Sequence, residues 1–469
     1  MALLSFDEAA HLLRRAGFGG TPDEIDDLAS RGREAAVDFL INFGQINNSA
    51  MDSLLASSFD FSDQQNINNG EIRRWWYTRM FTTKRQFEEK LTLFWHNHFA
   101  TSSAKVQDFF MFNQNSLLRA NSLAKFDDLL LMVSQDAAML IWLDNITNVL
   151  GSANENFARE LQELFTMGIN DVVTGDQNYT EQDVKEVARA FTGWNYVRRP
   201  PFNFQLNANQ HDNGTKTIYG QQSNFSGQDV ITIISGRPAT ARYLTWKLFN
   251  FFVYPVTNSS ADKATIDKFS KVYINNNHSI KELVRAIFVS DEFFSERAFF
   301  SLVKQPVELV VGAVRMLGAS YNPGTPNNRG GSSVPPNSAR NMGQDIFAPP
   351  DVAGFDSNLG WVNTASMLER FNYTNIFATN RNTTNPGVSV SNDKLKGYTK
   401  GNSKKTVKKF FSVLGPLNPG TSTRKMLQTY LETGDNGQPV DFTNDDATID
   451  KKIRGLVHQI MCLPEFQLN

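Results

Sequence analysis

Apolar residues recur at helical spacing along most of the chain. After Thr180-Glu181-Gln182-Asp183, residues Val184, Val187, Ala188 and Phe191 form one stripe that ends before Gly193. That three- and four-residue spacing is the mark of an amphipathic helix with a capped start. Ser5-Phe6-Asp7-Glu8 and Thr21-Pro22-Asp23-Glu24 read as capping boxes, with Pro22 where a missing N–H is harmless. The same pattern predicts helices over about 34–43, 71–99, 104–119, 123–134, 154–167, 238–252, 261–275, 279–288, 302–317, 363–377, 404–413, 423–432 and 447–461. Period-two alternation is scarce. Phe202–Leu206 and Asp229–Ile234 are the strand candidates, flanking a polar segment that reads as a hairpin-like insertion. The expected class is mainly α, a multi-helix globular assembly with a small β element around residues 200–235.

Gly-, Pro- and Asn-rich stretches interrupt the helices at 321–343 and 384–402. The first reads as an unpacked surface loop and is where a subdivision would fall. No repeat stands out, so the expectation is one helical domain over residues 1–469. With 41% hydrophobic and 20% charged residues the composition is globular, and its 37 Phe, 11 Tyr and 7 Trp promise an aromatic core. Forty-six Lys and Arg against 48 Asp and Glu leave a net charge of −2, which gives no bias toward nucleic acid or an anionic membrane. A single cysteine, Cys462, excludes an intrachain disulfide and a thiolate zinc cluster. No apolar run is long enough to span a bilayer. Met1–Phe6 is too short for a secretory leader, and Ala16–Asp23 follows Arg14-Arg15 where an export signal needs a hydrophobic run.

Three segments carry candidate chemistry. In Phe94-Trp95-His96-Asn97-His98-Phe99 a helix would send His98 toward the core with Phe87, Leu91, Phe94 and Trp95, while His96 leans away. His98 then reads either as a hydrogen-bonded core histidine or as a metal ligand. In Asn154–Phe165, residues Glu155, Arg159 and Glu163 form a ladder of charges at four-residue spacing. Glu160 borders the apolar stripe one turn from Asn156, where a carboxylate requires a cation, a histidine or a metal. Around the turn dipeptide Asn213-Gly214, His211, Asp212 and Lys216 can converge. They read as an oriented base or metal ligand, or as a turn in which Asp212 caps backbone N–H groups. Phosphate-binding glycine loops, H-E-x-x-H and G-x-S-x-G are all missing from the sequence.

In order along the chain, His11–Gly19, Phe94–Phe99, Asn154–Leu161, Tyr179–Val184, Phe191–Trp194, His211-Asp212 with Lys216, Lys304–Glu308, Pro349–Phe355 and Gly360-Trp361 resemble the bacterial family known as domain of unknown function 1800. The resemblance implies an exported protein acting beside a sulfatase-like partner of the domain of unknown function 1501 family. The chain as given shows no signal peptide, so the expectation is a trimmed secreted form or a cytoplasmic member. The resemblance also implies histidine where this chain has Phe165 and tryptophan where it has Phe355. Two functions are expected on these grounds. The first is a metal-assisted hydrolase of an extracellular polymer, with His211, Asp212 and Glu160 catalytic. In it Arg159, Asn156 and Lys216 bind substrate, and His96, His98, Glu160 and His211 hold one divalent metal ion. The second is a non-catalytic binding or assembly protein serving the sulfatase-like partner or a surface polymer, with the same residues as buried polar networks.

Overall fold

The helix Gln86–His98 is buried along its length, with every residue except Asn97 withdrawn from solvent. A helix buried on every side lies in the middle of a helical body, and this one carries Phe87, Leu91, Leu93, Phe94 and Trp95 on successive faces among its charged residues. In the computed structural model, which describes residues 3–63, 67–326, 328, 330–380, 386–440, 442 and 445–469, the other helices wrap this one. Buried hydrophobic residues form one contiguous cluster from Leu4 to Phe466, with a small satellite of Val303, Phe355 and Trp361. No helix among the described residues is long and apolar enough to cross a membrane.

The capping boxes form at Ser5, Thr21 and Thr180 as their sequences predict. The predicted stretch 71–99 is two helices, Asn69–Thr82 and Gln86–His98, separated by an extended Thr83. Arg315 makes that break stable. Its Nη1 donates to the carbonyls of Met80, Phe81 and Thr83 at 3.0–3.2 Å, which answers acceptors that a helix end leaves without partners.

The β element consists of two short antiparallel ladders, Trp194–Tyr196 with Phe204–Leu206 and Lys216–Ile218 with Gln221–Ser223. Asp229–Ile234 is not a strand. It lies in the helix Gly227–Ser235, where Ser226 and Asp229 form a capping box and Val230, Ile231 and Ile234 face the core. The β-branched residues misled because strand propensity is weak against a helix cap and a buried face. The stretch 321–343 is also more ordered than its composition suggested. Val334–Asn341 is a helix with Pro335, Pro336, Ser338 and Ala339 buried, and Ser320–Asn322 pairs with Gly387–Ser389 from the second interrupted stretch. Within those stretches 327, 329 and 384–385 lie outside the described residues.

Burying Gln86–His98 also buries its charges. The Glu89 carboxylate is fully enclosed and accepts from Arg79 Nε at 2.7 Å, Arg119 Nε and Nη2 at 2.9–3.1 Å, and Trp76 Nε1 at 2.9 Å. Burial pushes this carboxyl up, but the Arg119 and Arg79 guanidiniums outweigh it and hold it below 4.5. Glu89→Gln should therefore lower stability by about 3–5 kcal/mol, because it leaves buried guanidinium uncompensated, as read by denaturant unfolding at neutral pH. A depressed carboxyl stabilises above its ordinary value and loses that contribution as pH falls through its folded value. The wild type should thus lose its advantage over Glu89→Gln as pH is lowered below 4.5.

Candidate functional site

The C-terminal end of Gln86–His98 opens on a cavity of about 420 Å³. That falls within the usual size of small-molecule sites, about 300–1,000 Å³. Four parts of the chain build it. Gln86–His98 supplies Phe94, Asn97 and His98, and Pro238–Phe252 supplies Trp246, Lys247, Asn250 and Phe251. Gln305 and Glu308 come from the start of Pro306–Met316, and Ala353–Gly360 closes one side with Phe355 and Asn358.

Backbone N–H groups fix the amides of this lining. Asn97 Oδ1 accepts from Phe355 N at 2.6 Å, and Asn358 Oδ1 accepts from Val303 N at 3.0 Å. The first contact requires glycine next door: Gly354 has φ +92°, and a Cβ there would meet Asn97 Oδ1 at 2.4 Å. Asn250 is used at both ends, donating to Trp246 O at 2.7 Å and accepting from Val256 N at 2.8 Å.

His98 donates through Nε2 to Phe165 O at 3.0 Å. That carbonyl is available because Phe165 lies at the end of the π-helical turn Leu161–Thr166, past the last intrahelical donors. A carbonyl only accepts, so Nε2 carries the hydrogen and Nδ1 keeps a bare lone pair. Nδ1 is buried and has no partner among the described residues. Burial first, then the Lys247 charge, lower this imidazole to about 3, against a small opposing effect of the Phe165 carbonyl. Lys247 is half-buried and makes no hydrogen bond or ion pair among the described residues. Burial holds its ammonium below the ordinary lysine value.

Glu308 is fully engaged. Lys90 Nζ pairs with Oε1, while Gln305 N and Asn469 Nδ2 each donate to Oε2 at 2.8 Å. Arg15, Lys90, Lys304 and Arg370 are all buried and all feel the charge of this carboxylate. Glu308 is therefore the shared anion of a group of buried basic side chains.

The sequence-predicted residues stand in separate settings. His96 is buried rather than turned away, because its helix is enclosed on every side; its Nε2 accepts from Phe347 N at 3.0 Å, and its ring meets Trp76 edge-on at 5.1 Å. His211 Nδ1 faces Thr192 O at 2.8 Å. Asp212 turns to Arg189, with contacts of 2.8 and 3.2 Å, and accepts from Gly214 N at 2.8 Å. The Arg189 guanidinium holds that carboxyl below its ordinary value. Lys216 is buried and its Nζ donates to Asp212 O at 2.7 Å, Gly214 O at 3.1 Å and Asn224 Oδ1 at 3.3 Å. Residues 211–216 are thus a turn locked by its own side chains. Arg159 is clamped to Glu181 at 2.7 and 2.8 Å, and Asn156 is exposed, its backbone N–H bound to Asn154 Oδ1 at 3.0 Å. Glu160 is half-buried just before the π turn, raised by burial and Glu163 against the opposing Arg159 charge.

Among the described residues no group of three or more His, Cys, Asp and Glu is arranged to hold a metal ion, so no three of His96, His98, Glu160 and His211 gather. Phe165, where the resemblance implies histidine, presents an apolar ring 6.3 Å from the His98 ring. The residues that do meet at the cavity include Asn97, Lys247, Gln305, Glu308 and Asn358, none of which sequence reasoning singled out for chemistry. A signal existed for three of them, since Phe94–Phe99 and Lys304–Glu308 carry the family resemblance. Asn358 and Lys247 had none, lying outside the matching segments.

The chain belongs to a family known by a sequence model that covers nearly all of it. Residues 11–468 match the family described as protein of unknown function, DUF1800, nearly the whole length. No curated protein and no solved structure matches the chain.

Burial lowers His96 and His98 to about 3, so both rings should stay neutral through the physiological range. Their NMR ring signals should not titrate between pH 5 and 8, whereas an unfolded histidine titrates near 6.5. Because the folded values are depressed, the stabilisation is complete above that unfolded value and erodes as pH falls from it toward about 3.

Proposed function

We propose that this is a binding protein that encloses a small polar organic unit in the cavity at His98. One observation carries the reading: Asn97, Gln305, Asn358 and Lys247, whose side-chain donor groups no hydrogen bond or ion pair among the described residues engages, all line a cavity of ligand size. An imidazole held near 3 is a weak proton acceptor at neutral pH, so His98 suits hydrogen bonding better than general-base catalysis. The separate settings of His98, Glu160 and His211 favour binding over the metal-assisted hydrolase. In this reading the protein acts outside the cell on a surface polymer, beside the sulfatase-like partner that the family resemblance implies.

Ala353 is exposed at the cavity mouth, where a tryptophan would obstruct entry without entering the core. In saturation-transfer NMR with neutral and acidic monosaccharides, the wild type should bind at least one, and Ala353→Trp should weaken that sugar by about tenfold or more with an unchanged melting temperature. Binding that Ala353→Trp leaves intact, or no binding at all, would remove the cavity from the reading.

A further inference from the structure

Side-chain donor groups without protein partners gather at the cavity. A backbone N–H can be met only by the oxygen of an amide, so the bonds to Phe355 N and Val303 N fix which way Asn97 and Asn358 are turned. Gln305 is fixed in the same manner: its Oε1 accepts from Gln344 Nε2 at 2.8 Å and from the N–H of Glu308. Gln344 is itself oriented by Val307 N, which donates to its Oε1 at 2.9 Å. In all three amides the oxygen is taken and the NH2 group has no partner among the described residues. Lys247 Nζ, 5.7 Å from the centre of the Tyr243 ring, adds a fourth donor group with no hydrogen-bond partner among the described residues. Among the acceptors, Glu308 is already met by Lys90, Gln305 N and Asn469, and Asn250 Oδ1 by Val256 N. His98 Nδ1 has no partner among the described residues but is shut off from solvent.

Charge points the same way. Lys247 stands in the lining without a counter-ion, while Glu308 is matched by Lys90 and backed by Arg15, Lys304 and Arg370. The complementary ligand is rich in acceptors and negative. One ammonium with neutral amides, and no guanidinium fork among the lining residues, suits a single carboxylate better than a phosphate dianion. Phe94, Trp246, Phe251 and Phe355 supply the apolar part of the wall, against which the C–H face of a sugar ring can lie while its edge meets the polar groups.

We propose that the cavity takes a sugar acid, a pyranose bearing one carboxylate, as found in an acidic polysaccharide. The carboxylate meets Lys247 and the amide donors, and the ring face rests on the aromatic wall. This rests on the binding function proposed above and names its ligand class.

The test is calorimetric titration with D-glucuronate, D-glucose and D-glucosamine on the wild type, Lys247→Met, Asn97→Asp and Ala353→Trp. The wild type should favour glucuronate over glucose by about tenfold or more and bind glucosamine weakest. Lys247→Met should bring glucuronate down to the affinity of glucose, so that the preference for the acid is lost. Asn97→Asp keeps the acceptor for Phe355 N but replaces the NH2 donor with negative oxygen. It should abolish glucuronate binding at an unchanged melting temperature. Glucose bound as tightly as glucuronate, or glucuronate indifferent to Lys247→Met, would overturn the acid assignment. If Ala353→Trp still removes glucose in that case, cavity binding itself stands. If none of the three sugars binds the wild type, the sugar-acid assignment fails; if Ala353→Trp leaves all binding intact, the cavity reading fails as well.

Discussion

The fold depends on placing a helix with charged residues at its centre. Gln86–His98 brings Glu89, Lys90, His96 and His98 out of water together with its aromatic residues. Each buried charge needs an opposite charge in good geometry, or its desolvation would outweigh the apolar gain around it. Arg79 and Arg119 answer Glu89, and Glu308 answers Lys90. Those partners come from positions up to 218 residues away, so pairing this helix correctly also fixes how distant parts of the body dock. Apolar packing alone would tolerate a rotated or shifted helix far better, since hydrophobic contact carries little direction.

The two histidines of that helix show how the same enclosure yields different outcomes. His96 meets a backbone N–H from Phe347 and becomes a pin between the helix and a distant loop. His98, two residues on, spends one nitrogen on the orphan carbonyl of a π turn and leaves the other buried and unmatched. The π turn is what delivers Phe165 O there, and it immediately follows Glu160. A feature that reads in the sequence as an ordinary charged helix thus serves the site through its backbone, while its carboxylates and Arg159 face elsewhere.

Much of the helical framework was legible locally. Capping boxes at Ser5, Thr21 and Thr180 depend on residues three apart and formed where expected. The misreadings at Asp229–Ile234 and Val334–Asn341 arose where weak propensity met strong context, a cap in one case and burial of prolines in the other. The candidate site was legible only in fragments. His98 stood out by its residue type, but Asn97, Gln305 and Asn358 matter because of which atom each has already committed to a backbone or side-chain partner. No pattern in the chain announces that commitment.

By itself the sequence determined the mainly helical class, a small β element around residues 200–235, the aromatic core and the family to which the chain belongs. Those properties follow from spacing and composition, which act over a few residues at a time. Tertiary structure alone decided that the turn at His211 locks itself, that His96 and His98 part company, and that a donor-rich cavity forms around Lys247. The reason is that a side chain's chemistry is set by what remains unpaired after the rest of the chain has packed against it.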